Sequence, residues 1–143
     1  MLVKEIMNTE VKTCSPGITV QAAAKSMVKQ KVGSLIVVNP NGQVVGIVTD
    51  GDCLRDIVAA GKDSKKAKVS EVMTKEVVMI SPETTVQEAV DIMEEKGIKK
   101  LPVMQGNRLT GIVTVMDIFR VEPKLVERLY TMFTPPSGKA LAG

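Results

Sequence analysis

Histidine and tryptophan are absent from this 143-residue chain, and the three aromatic residues are one Tyr and two Phe. Without histidine there is no Ser-His or Cys-His nucleophile pair and no zinc-protease helix. With so few rings the core must be aliphatic, and little is left for stacking on nucleobases. The two cysteines, Cys14 and Cys53, have no metal-ligand spacing and are too few for a disulfide scaffold. Both sit among apolar neighbours and read as buried small side chains. No apolar run reaches the roughly 18 residues of a membrane span. The start, Met1-Leu2-Val3-Lys4-Glu5, lacks the apolar stretch and cleavage site of a secretory leader, so a cytoplasmic location is expected. The net charge of +3 falls short of the dense basic footprint of a nucleic-acid binder.

What the chain has is a duplication. Gly46-Ile47-Val48-Thr49-Asp50-Gly51-Asp52 is echoed by Gly111-Ile112-Val113-Thr114-Val115-Met116-Asp117. A shift of about 66 residues also lays Val3 to Met7 on Val69 to Met73, Ser15-Pro16 on Ser81-Pro82, and Thr19-Val20-Gln21 on Thr85-Val86-Gln87. Self-similarity at this period means one supersecondary unit written twice. The expected segments are repeat 1 over 1–62, a lysine-rich solvated linker over 63–68, repeat 2 over 69–122, and a C-terminal helix with a flexible tail over 123–143.

Within each copy the pattern predicts strand, helix, strand, strand, helix. Val20, Ala23, Ala24, Met27 and Val28 recur at helical spacing, so a helix runs from about Val20 to Lys31, with Val86 to Lys96 as its counterpart. Leu35 to Val38 and Val44 to Val48 form a hairpin across Asn39-Pro40-Asn41-Gly42. Leu101 to Met104 and Leu109 to Val113 repeat it. Thr49 opens a second helix carried by Leu54, Ile57, Val58 and Ala59. The fold class is α/β: two β-α-β-β-α repeats, expected to pack sheet to sheet about a pseudo-twofold axis with ligand clefts between them.

Chemistry is expected where a strand hands over to a helix. Thr49 with Asp52, and Thr114 with Asp117, have the spacing of a capping box, which by itself accounts for about 1 kcal/mol per helix. The same geometry offers a hydroxyl and a carboxylate at the positive end of a helix, where a carboxylate can accept from ribose and the helix start favours phosphate. Arg55 and Arg120, three residues after each aspartate, read as i,i+3 ion pairs.

These paired segments, the two Ser-Pro turns and Gly97-Ile98-Lys99-Lys100-Leu101-Pro102-Val103 together resemble the cystathionine-β-synthase (CBS) domain family. Two tandem copies resemble a complete CBS pair, or Bateman module, over about Leu2 to Val121. The resemblance implies a regulatory module that senses adenosine compounds, with AMP, ADP or ATP first and S-adenosylmethionine or methylthioadenosine as alternatives. It implies ribose and phosphate contacts at Thr49, Asp52, Thr114 and Asp117, phosphate contacts at Lys99 and Lys100, and an adenine pocket near Thr13, Cys14, Pro16, Met79, Ile80 and Pro82. The first copy has Gly33-Ser34 where the second has Lys99-Lys100, a departure that argues against two equivalent phosphate sites.

No catalytic role, metal or required cofactor is expected. The expected partners are the adenosyl ligand, a second copy of the chain in a homodimer, and a regulated protein supplied in trans. Charge disfavours nucleic acid as a partner, and the remaining alternatives are a ligand-free dimeric interaction scaffold or a weak nucleic-acid binder using the Lys62 to Lys68 cluster.

Overall fold

In the computed structural model, which describes residues 1–133, the duplicated sequence builds each principal element twice. Helix α1 (Val20–Gln30) and helix α4 (Val86–Lys96) start at threonine caps. Thr19 Oγ1 accepts from Ala22 N at 3.1 Å, and Thr85 Oγ1 from Glu88 N at 3.0 Å. The helices end where Lys31 (φ 56°) and Gly97 (φ 66°) turn left-handed. Their inward stripes, Val20, Ala23 and Met27 in α1 and Val86, Ala89, Val90 and Met93 in α4, are buried.

Strand β1 (Thr13–Cys14) pairs in parallel with β2 (Ser34–Val38), and β2 pairs antiparallel with β3 (Val44–Thr49). In the second copy, β4 (Lys100–Gln105) pairs with β5 (Arg108–Thr114), and the counterpart of β1 shrinks to a parallel bridge between Ile80 and Val103. Each hairpin delivers its threonine to a helix: Thr49 to α2 (Asp50–Cys53), Thr114 to α5 (Val115–Val121).

The chain forms two compact units whose membership differs from the sequence repeats. One holds Glu10–Val78 with Asn107–Leu109; the other holds Met1–Thr9, Met79–Gly106 and the chain from Thr110. The first unit therefore includes α3 (Val69–Val72) and the segment after it, which begin the second sequence repeat. Thr74 and Ile47 exchange backbone hydrogen bonds of 2.8 and 3.0 Å, and Val69 and Val72 join the core of α1, β2 and β3. In the other unit the opening 3-10 turn Val3–Glu5 buries Val3 completely, and Asn8 makes the same exchange with Ile112. Each repeat has thus handed its leading segment to the unit built around the other repeat's hairpin.

That exchange explains the motif glycines. A Cβ on Gly46 would stand 2.6 Å from Met73 Sδ and 2.9 Å from the Thr74 carbonyl. On Gly111 it would stand 2.5 Å from Met7 Sδ and 3.1 Å from the Asn8 carbonyl. Both positions need a residue with no side chain because the exchanged segment lies flat against them.

Two expectations are corrected. The helix opened by Thr49 does not carry Leu54 and Val58 inward. After Cys53 it widens into a π turn, Leu54–Val58, with Ala59 N on Leu54 O and Lys62 N on Ile57 O. Of its apolar side chains Ile57 is buried, while Leu54 and Val58 face solvent. Cys14 and Cys53 are only half-buried rather than interior. Past α5 the chain continues as α6 (Pro123–Val126) and a 3-10 stretch Glu127–Met132, close to the helix expected from Pro123. The expected flexible tail over 134–143 lies outside the described residues.

Candidate functional site

The Thr-x-x-Asp segments sit where a strand's last residue becomes a helix cap. At the first, Thr49 Oγ1 accepts from Asp52 N at 3.1 Å, and Asp52 Oδ2 accepts from Thr49 N at 2.9 Å, a reciprocal capping box. Asp52 Oδ1 accepts from Arg55 Nη2 at 2.8 Å, and Arg55 Nε donates to Asp56 Oδ1 at 3.2 Å. At the second, Asp117 Oδ2 accepts from Thr114 N (2.8 Å) and from Thr114 Oγ1 (3.1 Å). Asp117 Oδ1 accepts from Arg120 Nη1 at 3.3 Å. The carboxylate side chains are 8% and 16% exposed, while the arginines that cover them are 67% and 69% exposed. Both i,i+3 ion pairs expected from the sequence are formed.

A carboxylate has acceptor room for about four hydrogen bonds. Asp52 accepts two and Asp117 accepts three, so each keeps capacity on the oxygen facing its arginine. The arginines lie on the solvent side. The outward oxygen Oδ1 of each carboxylate is covered by a guanidinium alone, while Oδ2 is engaged in the capping box.

The surroundings of the two turns differ. Beside the first, Asp50 N donates to the Gly33 carbonyl at 2.9 Å, and a Cβ on Gly33 would meet Asp50 Oδ2 at 3.1 Å. Asp50 adds a second carboxylate at this helix start, and Gly33 brings no side chain to oppose it. Beside the second, Val115 N donates to the Lys99 carbonyl at 3.1 Å. Here Val115 replaces Asp50 and Lys99 replaces Gly33, so the same backbone bond places a lysine rather than an acid near the helix start. The Lys99 ammonium lies 4.5 Å from the centre of the Phe133 ring, a cation–π contact that holds it on the C-terminal segment.

The residues expected around adenine fall on the first strand of each copy. Thr13 is exposed, with Cys14 and Pro16 half-buried. Thr13 is in register with Ile36, which pairs with Ile47, two residues before Thr49. Across two strands at about 4.8 Å and along two residues at about 3.3 Å, that places Thr13 and Thr49 roughly 12 Å apart on one sheet. In the other unit Met79 is exposed while Ile80 and Pro82 are buried. Ile80 N donates to Pro102 O at 3.0 Å, and Met104 N donates to Ile80 O at 2.8 Å. Burial pushes the Cys14 thiol up to about 11. The Cys53 thiol is raised by burial first, then by the negative charge of Asp52 and Asp50. Neither is primed as a nucleophile.

The arginines read from the sequence as i,i+3 ion pairs form those pairs and cover the outward oxygen of each carboxylate. Sequence reasoning gave no role to Gly46 and Gly111, which fix the strand that presents the threonine. The signal for the glycines was present in the echo itself, since both copies place Gly three residues before the threonine.

The family model for the CBS domain matches residues 3–59 and again 69–124. The chain belongs to the CBS-domain family. An uncharacterized protein of Methanopyrus kandleri is 36% identical over 87% of this chain and 64% of its own length. The mitochondrial CBS domain-containing protein CBSX3 of Arabidopsis thaliana is 38% identical over 75% of this chain and 54% of its own length. The chain thus spans under two thirds of either relative. The solved structure of Hypoxic Response Protein I with two coordinated zinc ions superimposes with a TM-score of 0.76 at 30% identity, covering 85% of this chain and 98% of that one. Two CBS domains in tandem make this chain a CBS pair, a regulatory kind of module, with the α/β repeat architecture expected. Among the described residues no helix is long and apolar enough to cross a membrane.

Proposed function

We propose that this CBS pair is a sensor of adenosine-containing metabolites, with AMP, ADP or ATP as the favoured ligands and the Thr-x-x-Asp turns as the ribose grips. The observation that carries this reading is the repeated arrangement of a carboxylate capped on one oxygen and closed on the other only by an exposed arginine. Asp52 or Asp117 would accept from the two ribose hydroxyls. Thr49 or Thr114 and the adjoining helix start would meet the phosphate side. Thr13, Cys14 and Pro16, or Met79, Ile80 and Pro82, would offer neutral and apolar contacts to the base.

The charge difference between the turns supports a different ligand at each. Lys99 and Lys100 favour phosphates at the turn of Asp117, with Lys99 leaving the Phe133 ring to reach them. Asp50 beside Asp52 disfavours a polyphosphate at the other turn, which suits a weakly charged adenosyl compound such as methylthioadenosine or S-adenosylmethionine. The zinc of Hypoxic Response Protein I is not carried over: among the described residues no three His, Cys, Asp or Glu side chains gather as a metal would need. With no activated nucleophile at either turn, the reading is regulatory rather than enzymatic.

The test is a thermal-shift panel of AMP, ADP, ATP, methylthioadenosine and S-adenosylmethionine on the wild type, Asp52→Asn and Asp117→Asn. Ligand at about 100 times its dissociation constant adds roughly 2.7 kcal/mol, a rise of several degrees for a chain of this size. ATP is expected to lose its shift in Asp117→Asn and keep it in Asp52→Asn. If no compound moves the wild-type transition, adenosyl sensing is wrong. A shift that survives both substitutions rejects the ribose grips.

A further inference from the structure

Helix α4 carries a strap made of the chain's own C-terminal segment, and the strap ends on the lysine beside the Asp117 turn. The Glu127–Met132 stretch packs on α4, with Leu129 fully buried. Arg128 Nη2 donates to Asp91 Oδ1 at 2.7 Å and to Glu94 Oε1 at 3.2 Å, and Arg128 Nε donates to Glu94 Oε2 at 3.2 Å. Phe133 comes next, its N–H on the Tyr130 carbonyl at 3.0 Å, and its ring takes the Lys99 ammonium at 4.5 Å.

Lys99 therefore serves two structures at once. Its carbonyl accepts from Val115 N at 3.1 Å, which fixes the lysine backbone at the start of α5, the helix that carries Asp117. Its ammonium lies on a ring that is itself 53% exposed. A phosphate at that helix start competes with the ring for one ammonium. The phosphate has the advantage, since a charge-assisted hydrogen bond outweighs attraction to a ring quadrupole.

The strap is held with unequal strength along its length. A buried leucine and a guanidinium shared by two carboxylates hold its middle, whereas an exposed ring on one lysine holds its end. Burying a leucine is worth roughly two to three times an exposed cation–π contact. Losing Lys99 thus frees the Phe133 end while Leu129 stays seated. At the other turn Gly33 stands in the place of Lys99 and offers no side chain for such a contact.

We infer that Phe133 is a built-in competitor for phosphate at the Asp117 turn, and that a phosphate-bearing ligand there takes Lys99 from the ring and frees the end of the strap. This rests on the reading of that turn as a ligand grip. By linkage, whatever the ring contributes to holding Lys99 is subtracted from phosphate affinity, and the ligand loosens the ring by the same factor. Phe133 thus sets how strongly the turn prefers a phosphorylated adenosine over adenosine itself. The segment 127–133 in turn carries the occupancy of the site to the surface of its unit.

Calorimetric titration of the full chain with ATP and with adenosine tests it, on the wild type, Phe133→Leu and Phe133→Tyr, with circular dichroism on each. Leucine keeps apolar bulk and removes the ring face, so ATP should bind Phe133→Leu about threefold more tightly and adenosine equally well. Tyrosine keeps the ring and should restore the wild-type affinity. In a Lys99→Met background, adding Phe133→Leu should change nothing further. Hydrogen exchange read by mass spectrometry supplies the reciprocal: ATP should speed exchange over residues 127–133 in the wild type and leave it unchanged in Lys99→Met. The wild-type exchange experiment needs no substitution, so it decides even where a variant fails to fold. ATP binding that Phe133→Leu does not strengthen, or that leaves exchange over 127–133 unchanged, overturns the inference and leaves the ribose grips standing. An equal gain with adenosine overturns it too, since the ring then acts as bulk and not through Lys99. A wild type that does not bind ATP at all removes the grip and the inference together, a result distinct from either of those.

Discussion

At the start of α2 the chain carries Asp50, Asp52 and Asp56, the last two paired with Arg55, with glycine at position 33. At the start of α5 the equivalent positions are Val115, Asp117 and Val121, with Asp117 alone paired to Arg120 and lysine at position 99. The backbone is the same at both: a capped carboxylate, an i+3 guanidinium, and a first helical N–H donating to the carbonyl of residue 33 or 99. Duplication kept the backbone device and let the surrounding charge diverge. If the turns hold ligands as proposed, the shared backbone with divergent charge suits two unlike ligands, or one ligand at only one of the two places. The same divergence runs through α1 and α4, with two lysines and no acid in one and four acids and one lysine in the other.

The largest effect should come from breaking the element both copies share. Gly46→Ala and Gly111→Ala each force a methyl against an exchanged methionine and a backbone carbonyl, and overpacking of this kind costs about 1–3 kcal/mol. Gly46→Ala should be the worse of the two, because its Cβ meets a carbonyl at 2.9 Å rather than 3.1 Å, and carbonyls move less readily than thioethers. Urea unfolding reads both. Met73→Ala added to Gly46→Ala should recover part of the loss. Equal stability of Gly46→Ala and wild type would mean the exchanged segment does not press on the strand.

Next in size is the carboxylate itself. Asp52→Ala removes the acceptor of the Thr49 N–H from a nearly buried position and should cost about 2 kcal/mol. Asp117→Ala is expected to cost about 1 kcal/mol, since Asp117 is more exposed and water can replace it. If the order is reversed in unfolding experiments without ligand, the burial difference between the turns does not govern their stability.

How much of this was readable beforehand depended on how local the cause was. The helices α1 and α4 were legible to within a residue, because a threonine cap and an apolar stripe at helical spacing are written in consecutive residues. The capping boxes and both ion pairs were legible for the same reason. The destination of Met1–Thr9 and of the segment after Lys68 was not, since aligning Met7 with Met73 shows that the two are equivalent but not which hairpin each one joins. The π turn was also hidden: Leu54, Ile57 and Val58 have ordinary helical spacing, and only the i→i+5 bonds of Ala59 and Lys62 reveal that Leu54 and Val58 turn outward. Val58 then lines an open groove beside α1 together with Val20, Ala24 and Val28.

The smallest expected difference lies in the caps of the long helices. Thr85 holds a full capping box, with Glu88 Oε1 accepting from Thr85 N at 3.3 Å in return. Thr19 makes only the single bond from Ala22 N, because Ala22 stands where Glu88 does and cannot reciprocate. Replacing either threonine with alanine removes a cap of about 1 kcal/mol. Thr85→Ala should cost a few tenths of a kcal/mol more, since the loss of cap geometry also loosens the returning carboxylate bond. Installing the missing half with Ala22→Glu should raise stability by a similar few tenths, in the copy whose helix has no acid in its first turn. Should Ala22→Glu lower the urea midpoint instead, the asymmetry between the two helix starts is set by their surroundings and not by the caps.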